Sequence, residues 1–137
     1  MKIKLKVEWP SKTHWQVLAS RRLKEDPMSE AGWWIGMMGD ELVMGWGRPF
    51  GDGHCRWRLR NASEYIFIEE ELKSLAVCFD GDNWIGLMSD LTPGDELHLG
   101  FDPQQPWAKW EGKVEIVGDD DIIGSNYVPQ NNPIETE

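Results

Sequence analysis

Lysine and apolar side chains alternate at the start of the chain, where Lys2, Lys4 and Lys6 are interleaved with Ile3, Leu5 and Val7. A period of two puts the lysines on one face of a strand and the apolar set on the other, so the segment predicts a half-buried β-strand. Its lysine face also discourages edge pairing. The next stretch carries two patterns at once. Trp15, Leu18, Ala19 and Leu23 fall at helical spacing, Thr13 and Gln16 are placed for a capping box, and Pro27 is a stop. These predict one short N-terminal helix over Thr13–Glu25. Trp15-Gln16-Val17-Leu18 fits an extended strand equally well.

From Gly32 onward the pattern is β. Predicted strands cover Trp33–Met38, Leu42–Gly47, Cys55–Arg60, Glu64–Glu69, Ser74–Phe79, Trp84–Met88, Glu96–Phe101, Lys109–Val117 and Ile122–Val128. Turn chemistry separates them at Met38-Gly39-Asp40, Pro49 to Gly53, Gly81-Asp82-Asn83 and Thr92-Pro93-Gly94-Asp95. Such spacing predicts a mainly β fold, a compact antiparallel sandwich or barrel. Within it, Trp34-Ile35-Gly36-Met37-Met38 recurs as Trp84-Ile85-Gly86-Leu87-Met88. Each copy is followed by a Gly-Asp-Glu-Leu segment, Gly39–Leu42 and Gly94–Leu97. The echo predicts two related hairpin units, residues 33–47 and 84–101, with Ile35 and Ile85 buried at equivalent positions.

The 137 residues suit one domain, placed at 1–128, followed by a polar Pro/Asn-rich tail at 129–137 that is expected to be disordered. No apolar run approaches the roughly 20 residues that span a bilayer, and Met1–Lys6 lacks the continuous apolar stretch of a signal peptide. A cytoplasmic protein without membrane attachment is the expectation. Cys55 and Cys78 are too few for a disulfide framework and are expected to be reduced thiols.

Charge is divided unevenly. Residues 1–61 carry 11 basic and 7 acidic side chains, a balance of +4, whereas 62–137 carry 3 and 17, a balance of −14. A net charge of −10 repels polyanions and so disfavours direct nucleic-acid binding. It favours a basic protein partner, because complementary fields speed and orient association. The acidic candidates are Glu69-Glu70-Glu71, Asp80 and Asp82, and Asp119-Asp120-Asp121. Nine tryptophans supply the apolar component, and Trp84, Trp107 and Trp110 are the candidate rings beside those carboxylates. Trp33 and Trp34 are consecutive, so on a strand one faces in and the other out.

Together these predict a non-enzymatic acidic binding protein that neutralises or regulates a basic partner. Its concrete form is an immunity-like, antitoxin-like or phage-encoded inhibitor of a nuclease or nucleic-acid-handling complex. The alternative is a small sandwich or barrel that binds a carbohydrate or other small ligand through its tryptophans.

Catalytic and metal chemistry find little support. Asp80-Gly81-Asp82-Asn83 opens like a calcium loop, but Trp84 takes the fifth position and Leu91 stands where a bidentate Glu belongs. A polar hairpin turn is expected there, and no metal or cofactor. His14, His54 and His98 lack ligand spacing, and His54 and Cys55 point to opposite faces of a strand. Arg56, Arg58 and Arg60 alternate with Cys55, Trp57 and Leu59. They form either an anion stripe or the partners of acidic strands in the C-terminal half, such as Glu64 or Glu69–Glu71. Two local resemblances span ten residues or fewer each. Leu91–Gly100 resembles the late hairpin of forkhead-associated domains, and Gly124–Pro129 is similar to the closing strand of Src-homology-3 domains. The ligand-reading motifs of both families are missing, so no functional residues follow from either.

Overall fold

Eleven strands form two sheets in the computed structural model, which describes residues 1–11, 14–51, 53–119 (Asp119 by its backbone alone) and 127–130. In chain order they are β1 Lys2–Val7, β2 Gln16–Arg22, β3 Trp33–Met38, β4 Glu41–Trp46, β5 His54–Arg58, β6 Tyr65–Glu71, β7 Ser74–Cys78, β8 Trp84–Met88, β9 Glu96–Leu99, β10 Val114–Asp119 and β11 Tyr127–Val128. One sheet runs β10-β1-β6-β7-β8 and the other β11-β9-β2-β3-β4-β5. The sheets pack as a sandwich, so the mainly β expectation holds and the barrel alternative does not. All ladders are antiparallel except β11–β9, which is parallel and makes the larger sheet mixed.

The core lies between the sheets. Ile3 and Leu5 of β1, Ile66 and Ile68 of β6, and Leu75 and Val77 of β7 meet Trp33 and Ile35 of β3 and Leu42 and Met44 of β4. The β1 pattern is the predicted one, with its apolar set buried. Ile35 and Ile85 both lie in this core.

Two expectations are overturned. The Thr13–Glu25 helix is absent: Gln16–Arg22 is the strand β2, Thr13 lies outside the described residues, and no helix occurs among those described. Helical spacing misled because β2 is covered on both faces, so its residues carry no period-two polarity. The second hairpin unit is also absent. Trp33–Trp46 does form the β3–β4 hairpin, but β8 pairs with β7 in one sheet while β9 pairs with β2 in the other. The chain between them crosses the sandwich. At the start of the segment expected as a tail, Gln130 donates to the carbonyls of Trp110 and Gly112 and accepts from Val114 N–H. Residues 131–137 lie outside the described set.

The outer faces of the sheets differ. The six-stranded sheet carries a second layer. Trp15 packs edge-on against Trp34 at 5.7 Å between ring centroids, and Phe50 sits 4.8 Å from Trp15 and 5.1 Å from Trp34. Outward-facing Trp34 is therefore as buried as inward-facing Trp33. Gly36 makes room, because a Cβ there would lie 2.6 Å from the Trp15 ring. The segment 101–111 lies over the rest of that face, with Val17 N–H bonded to Ala108 O, Ser20 to Phe101 O and Trp15 Nε1 to Gln105 Oε1.

A fully buried ion pair pins that segment. Arg22 donates from Nε to Asp102 Oδ1 at 2.9 Å and from Nη2 to Asp102 Oδ2 at 2.8 Å. Its remaining amine reaches the carbonyls of Ala31 and Gly47, and Gln105 Nε2 donates to Asp102. Removing one partner of such a pair leaves a buried charge uncompensated, which costs about 3–5 kcal/mol. Asp102→Ala should lower the unfolding free energy obtained from urea melts by that amount. The double variant Arg22→Met/Asp102→Leu should lose less than Asp102→Ala alone. A loss under ~1 kcal/mol in Asp102→Ala would show that the pair does not hold the layer.

Candidate binding face

Among the described residues, none forms a layer over the outer face of the five-stranded sheet. Pairing register assigns its residues, since directly opposed residues share a face. One row crosses four strands as Lys4, Phe67, Cys78 and Trp84, and the next runs Lys2, Glu69, Ala76 and Gly86. Tyr65 sits opposite Lys6 at one end of the face, and Met88 opposite Ser74 at the other.

Three aromatic rings stand out on this face, with Tyr65 36% exposed, Phe67 38% and Trp84 48%. Cys78, between Phe67 and Trp84 in the row, is buried. Lys4 extends over two of the rings, its Nζ 4.7 Å from the Tyr65 centroid and 5.5 Å from that of Phe67. This is cation–π geometry, which holds the lysine against the aromatic surface. A groove of about 360 Å³ crosses the face, lined by Lys2, Lys4, Phe67, Glu69, Trp84 and Gly118. Ala76 and Gly86, one row along, keep the neighbouring surface low. The chemistry on offer is flat apolar stacking bordered by ammonium donors and a carboxylate acceptor.

The sequence-derived site residues divide around this face. Glu69, Glu71 and Trp84 lie on it, and Asp80 and Asp82 form the β7–β8 turn beside Trp84. Asp119 ends β10 on the far edge of the same sheet, while Asp120 and Asp121 lie outside the described residues. Three candidates sit elsewhere. Glu70 is only 6% exposed, facing the core, where it accepts from Arg21 Nη1 and Trp33 Nε1. Trp110 is buried, its Nε1 bonded to Glu8 O and its ring 5.6 Å from Trp9. Trp107 is exposed, but on the segment covering the opposite sheet. Neither Glu70 nor Trp110 offers a side chain to a partner, and Trp107 cannot act with Trp84. Tyr65, Phe67 and the three lysines were not among the sequence candidates. Their signal lay in the partnering of β1 with β6, which joins a lysine face to an aromatic one.

Other expectations resolve locally. Asp80 caps the turn, accepting from the backbone N–H groups of Asp82 and Asn83 and from Asn83 Nδ2. The Asn83 and Asp82 bonds hold its carboxyl below the usual range. Arg56 and Arg58 do pair within the chain, but with Glu41 and Asp40 of the neighbouring β3–β4 hairpin rather than with the C-terminal half. No cluster of three metal-ligating side chains occurs among the described residues. No helix there is long and apolar enough to cross a membrane. No protein-family model matches the chain, and no curated protein does.

Two buried ionisable groups are shifted. Burial pushes the Glu70 carboxyl up against the opposing pull of Arg21, the Trp33 bond and the N-terminus. Burial pushes His98 down, with Glu96 and Asp102 opposing and Arg22 reinforcing. His98 packs against Phe101 at 4.9 Å, and among the described residues neither ring nitrogen has a hydrogen-bond partner, Nε2 lying 3.7 Å from Glu96 Oε1. A histidine depressed on folding contributes fully above its unfolded pKa of about 6.5, and that contribution is lost as pH falls from there through the lower folded pKa. Stability should therefore begin to drop near about pH 6.5 and keep dropping as the pH approaches the folded value. Because Glu70 is shifted in the opposite sense, the informative quantity is the difference between wild type and His98→Leu. The variant should show a flatter profile in urea melts across that window. Parallel profiles would mean that His98 titrates normally in the fold.

Proposed function

We propose that this is a non-enzymatic binding protein whose ligand docks on the outer face of the five-stranded sheet, and that the ligand is a carbohydrate. The observation that carries the reading is the pair of exposed rings Phe67 and Trp84 lining a groove of about 360 Å³, with Tyr65 exposed beside it on the same face. A sugar ring has an apolar face that stacks on an aromatic side chain and a polar rim that needs donors and acceptors. Here Lys2 and Glu69 stand at the groove to satisfy that rim. Binding sites of this kind are mostly apolar with a few polar groups that set orientation.

A basic protein partner is the second reading, favoured by the carboxylates around the same face. Glu69, Glu71, Asp80 and Asp82 border it, all outside the core. The lysines argue against a polyanion: Lys6 pairs with Glu64 at 3.5 Å and Lys4 is engaged with the rings, which leaves little free charge for phosphate contacts.

A glycan array, followed by calorimetry on any hit, tests the first reading. Trp84→Ala and Phe67→Ala should each weaken a genuine glycan about tenfold or more, equivalent to ~1.4 kcal/mol. Trp107→Ala, on the far side, should leave affinity unchanged. Affinity that survives both face variants, or an array without a saturable ligand, rejects the carbohydrate. Salt-sensitive capture of a basic protein, lost in Glu69→Lys/Glu71→Lys, would then favour the second reading.

A further inference from the structure

We propose that the free edge of the five-stranded sheet at β8 pairs with a second copy of the chain, joining two sheets into one of ten strands. Four edges are exposed among the described strands, and three are protected. β5 carries Arg56 and Arg58, β10 carries Glu115 and a register break in its ladder with β1, and β11 has two residues. Charged side chains, irregular ladders and short edges are the usual defences against unwanted pairing. β8 has none. Its five residues are Trp84-Ile85-Gly86-Leu87-Met88, and its ladder with β7 runs without a break.

The backbone is set for the contact. Ser89 N–H bonds to Lys73 O on the β7 side. By alternation Leu87 and Ile85 also face β7, so the N–H and C=O groups of Trp84, Gly86 and Met88 point outward. A two-fold axis at Gly86 then pairs Gly86 with the second copy's Gly86 and Trp84 with its Met88. That makes about six main-chain hydrogen bonds, two for each of three facing pairs. On the outer face the Trp84 ring meets a thioether, a favourable sulfur–aromatic contact. On the inner face Ile85 meets Leu87. The segment is thus complementary to itself, as an isologous interface requires.

Charge selects the same occupant and register. Lys73 lies 3.9 Å from Asp90 at the end of β8. In the register centred on Gly86, Asp82 of the second copy arrives opposite Asp90, within reach of that lysine. Each end then holds one lysine between two carboxylates. With −10 on each chain, long-range repulsion opposes the encounter, so salt should tighten the dimer.

Sedimentation equilibrium of the full chain, without added ligand, tests the inference at low and at moderate salt. A species of twice the chain mass, more populated at the higher salt, is expected. Gly86→Pro removes only an outward N–H and leaves the β7 ladder intact, so it should weaken dimerisation about tenfold or more with a native circular dichroism spectrum. Met88→Lys should do the same by placing a charge on the edge. Asp82→Lys should tighten the dimer by setting a cation opposite Asp90. A wild-type chain that is monomeric at all concentrations overturns the proposal. So does a dimer that ignores Gly86→Pro and Met88→Lys, or one that Asp82→Lys weakens. The oligomeric state is read without glycan or partner, so failure here is separable from failure of the binding-face reading.

Discussion

The ion pair between Arg22 and Asp102 decides which side of the sandwich is open. Both side chains are fully buried, and their bidentate geometry satisfies charges that would otherwise be costly in the interior. Because Arg22 belongs to the six-stranded sheet and Asp102 to the segment after β9, the pair holds that segment over the sheet. Gln104 extends the anchor, donating to Pro27 O and Ser29 O. The rings of Trp15, Trp34 and Phe50 complete the layer. Among the described residues the five-stranded sheet receives no such cover, and Tyr65, Phe67 and Trp84 stay in contact with solvent.

Much of the strand order was legible because most strands present one wet and one dry face. Lys2–Val7 showed its alternation directly, and Trp33–Met38 and Trp84–Met88 were placed to the residue. β2 was not legible, because burial on both faces erases the period that marks a strand. Pairing between distant segments was equally hidden. Gly94-Asp95-Glu96-Leu97 echoes a hairpin return, yet Asp95 N–H bonds to Arg22 O, which carries the chain into the other sheet. The candidate face was half legible. Trp84 and Glu69 were visible as residue types, but in Tyr65-Ile66-Phe67-Ile68 every position is apolar, so composition cannot say which set faces out. Only the register of β6 against Lys2–Lys6 assigns the aromatics to the surface.

The same register tempers the chain's acidity. The −14 balance of residues 62–137 suggests a uniformly negative surface, but β1 inserts three lysines into the sheet built largely from that half. Opposed charges across neighbouring strands, Lys2 with Glu69 and Lys6 with Glu115, leave a face of mixed sign. Glu70, in the middle of the acidic run, turns inward and links the sheets through Arg21 and Trp33. The face therefore carries lysines, carboxylates and exposed rings side by side rather than one sign of charge.

The repeated Trp-Ile-Gly segment shows how cover, rather than sequence, determines what a strand offers. In β3 and β8 the isoleucine enters the core while the tryptophan and glycine face outward. Over β3 the second layer fills the space above Gly36 with the Trp15 ring and buries Trp34 beneath it. Over β8 a Cβ at Gly86 would meet only the Leu75 carbonyl oxygen, at 3.8 Å, and Trp84 remains half exposed. In the β3 copy a ring from the same chain thus lies over the glycine and against the tryptophan edge, whereas among the described residues no ring does so over β8.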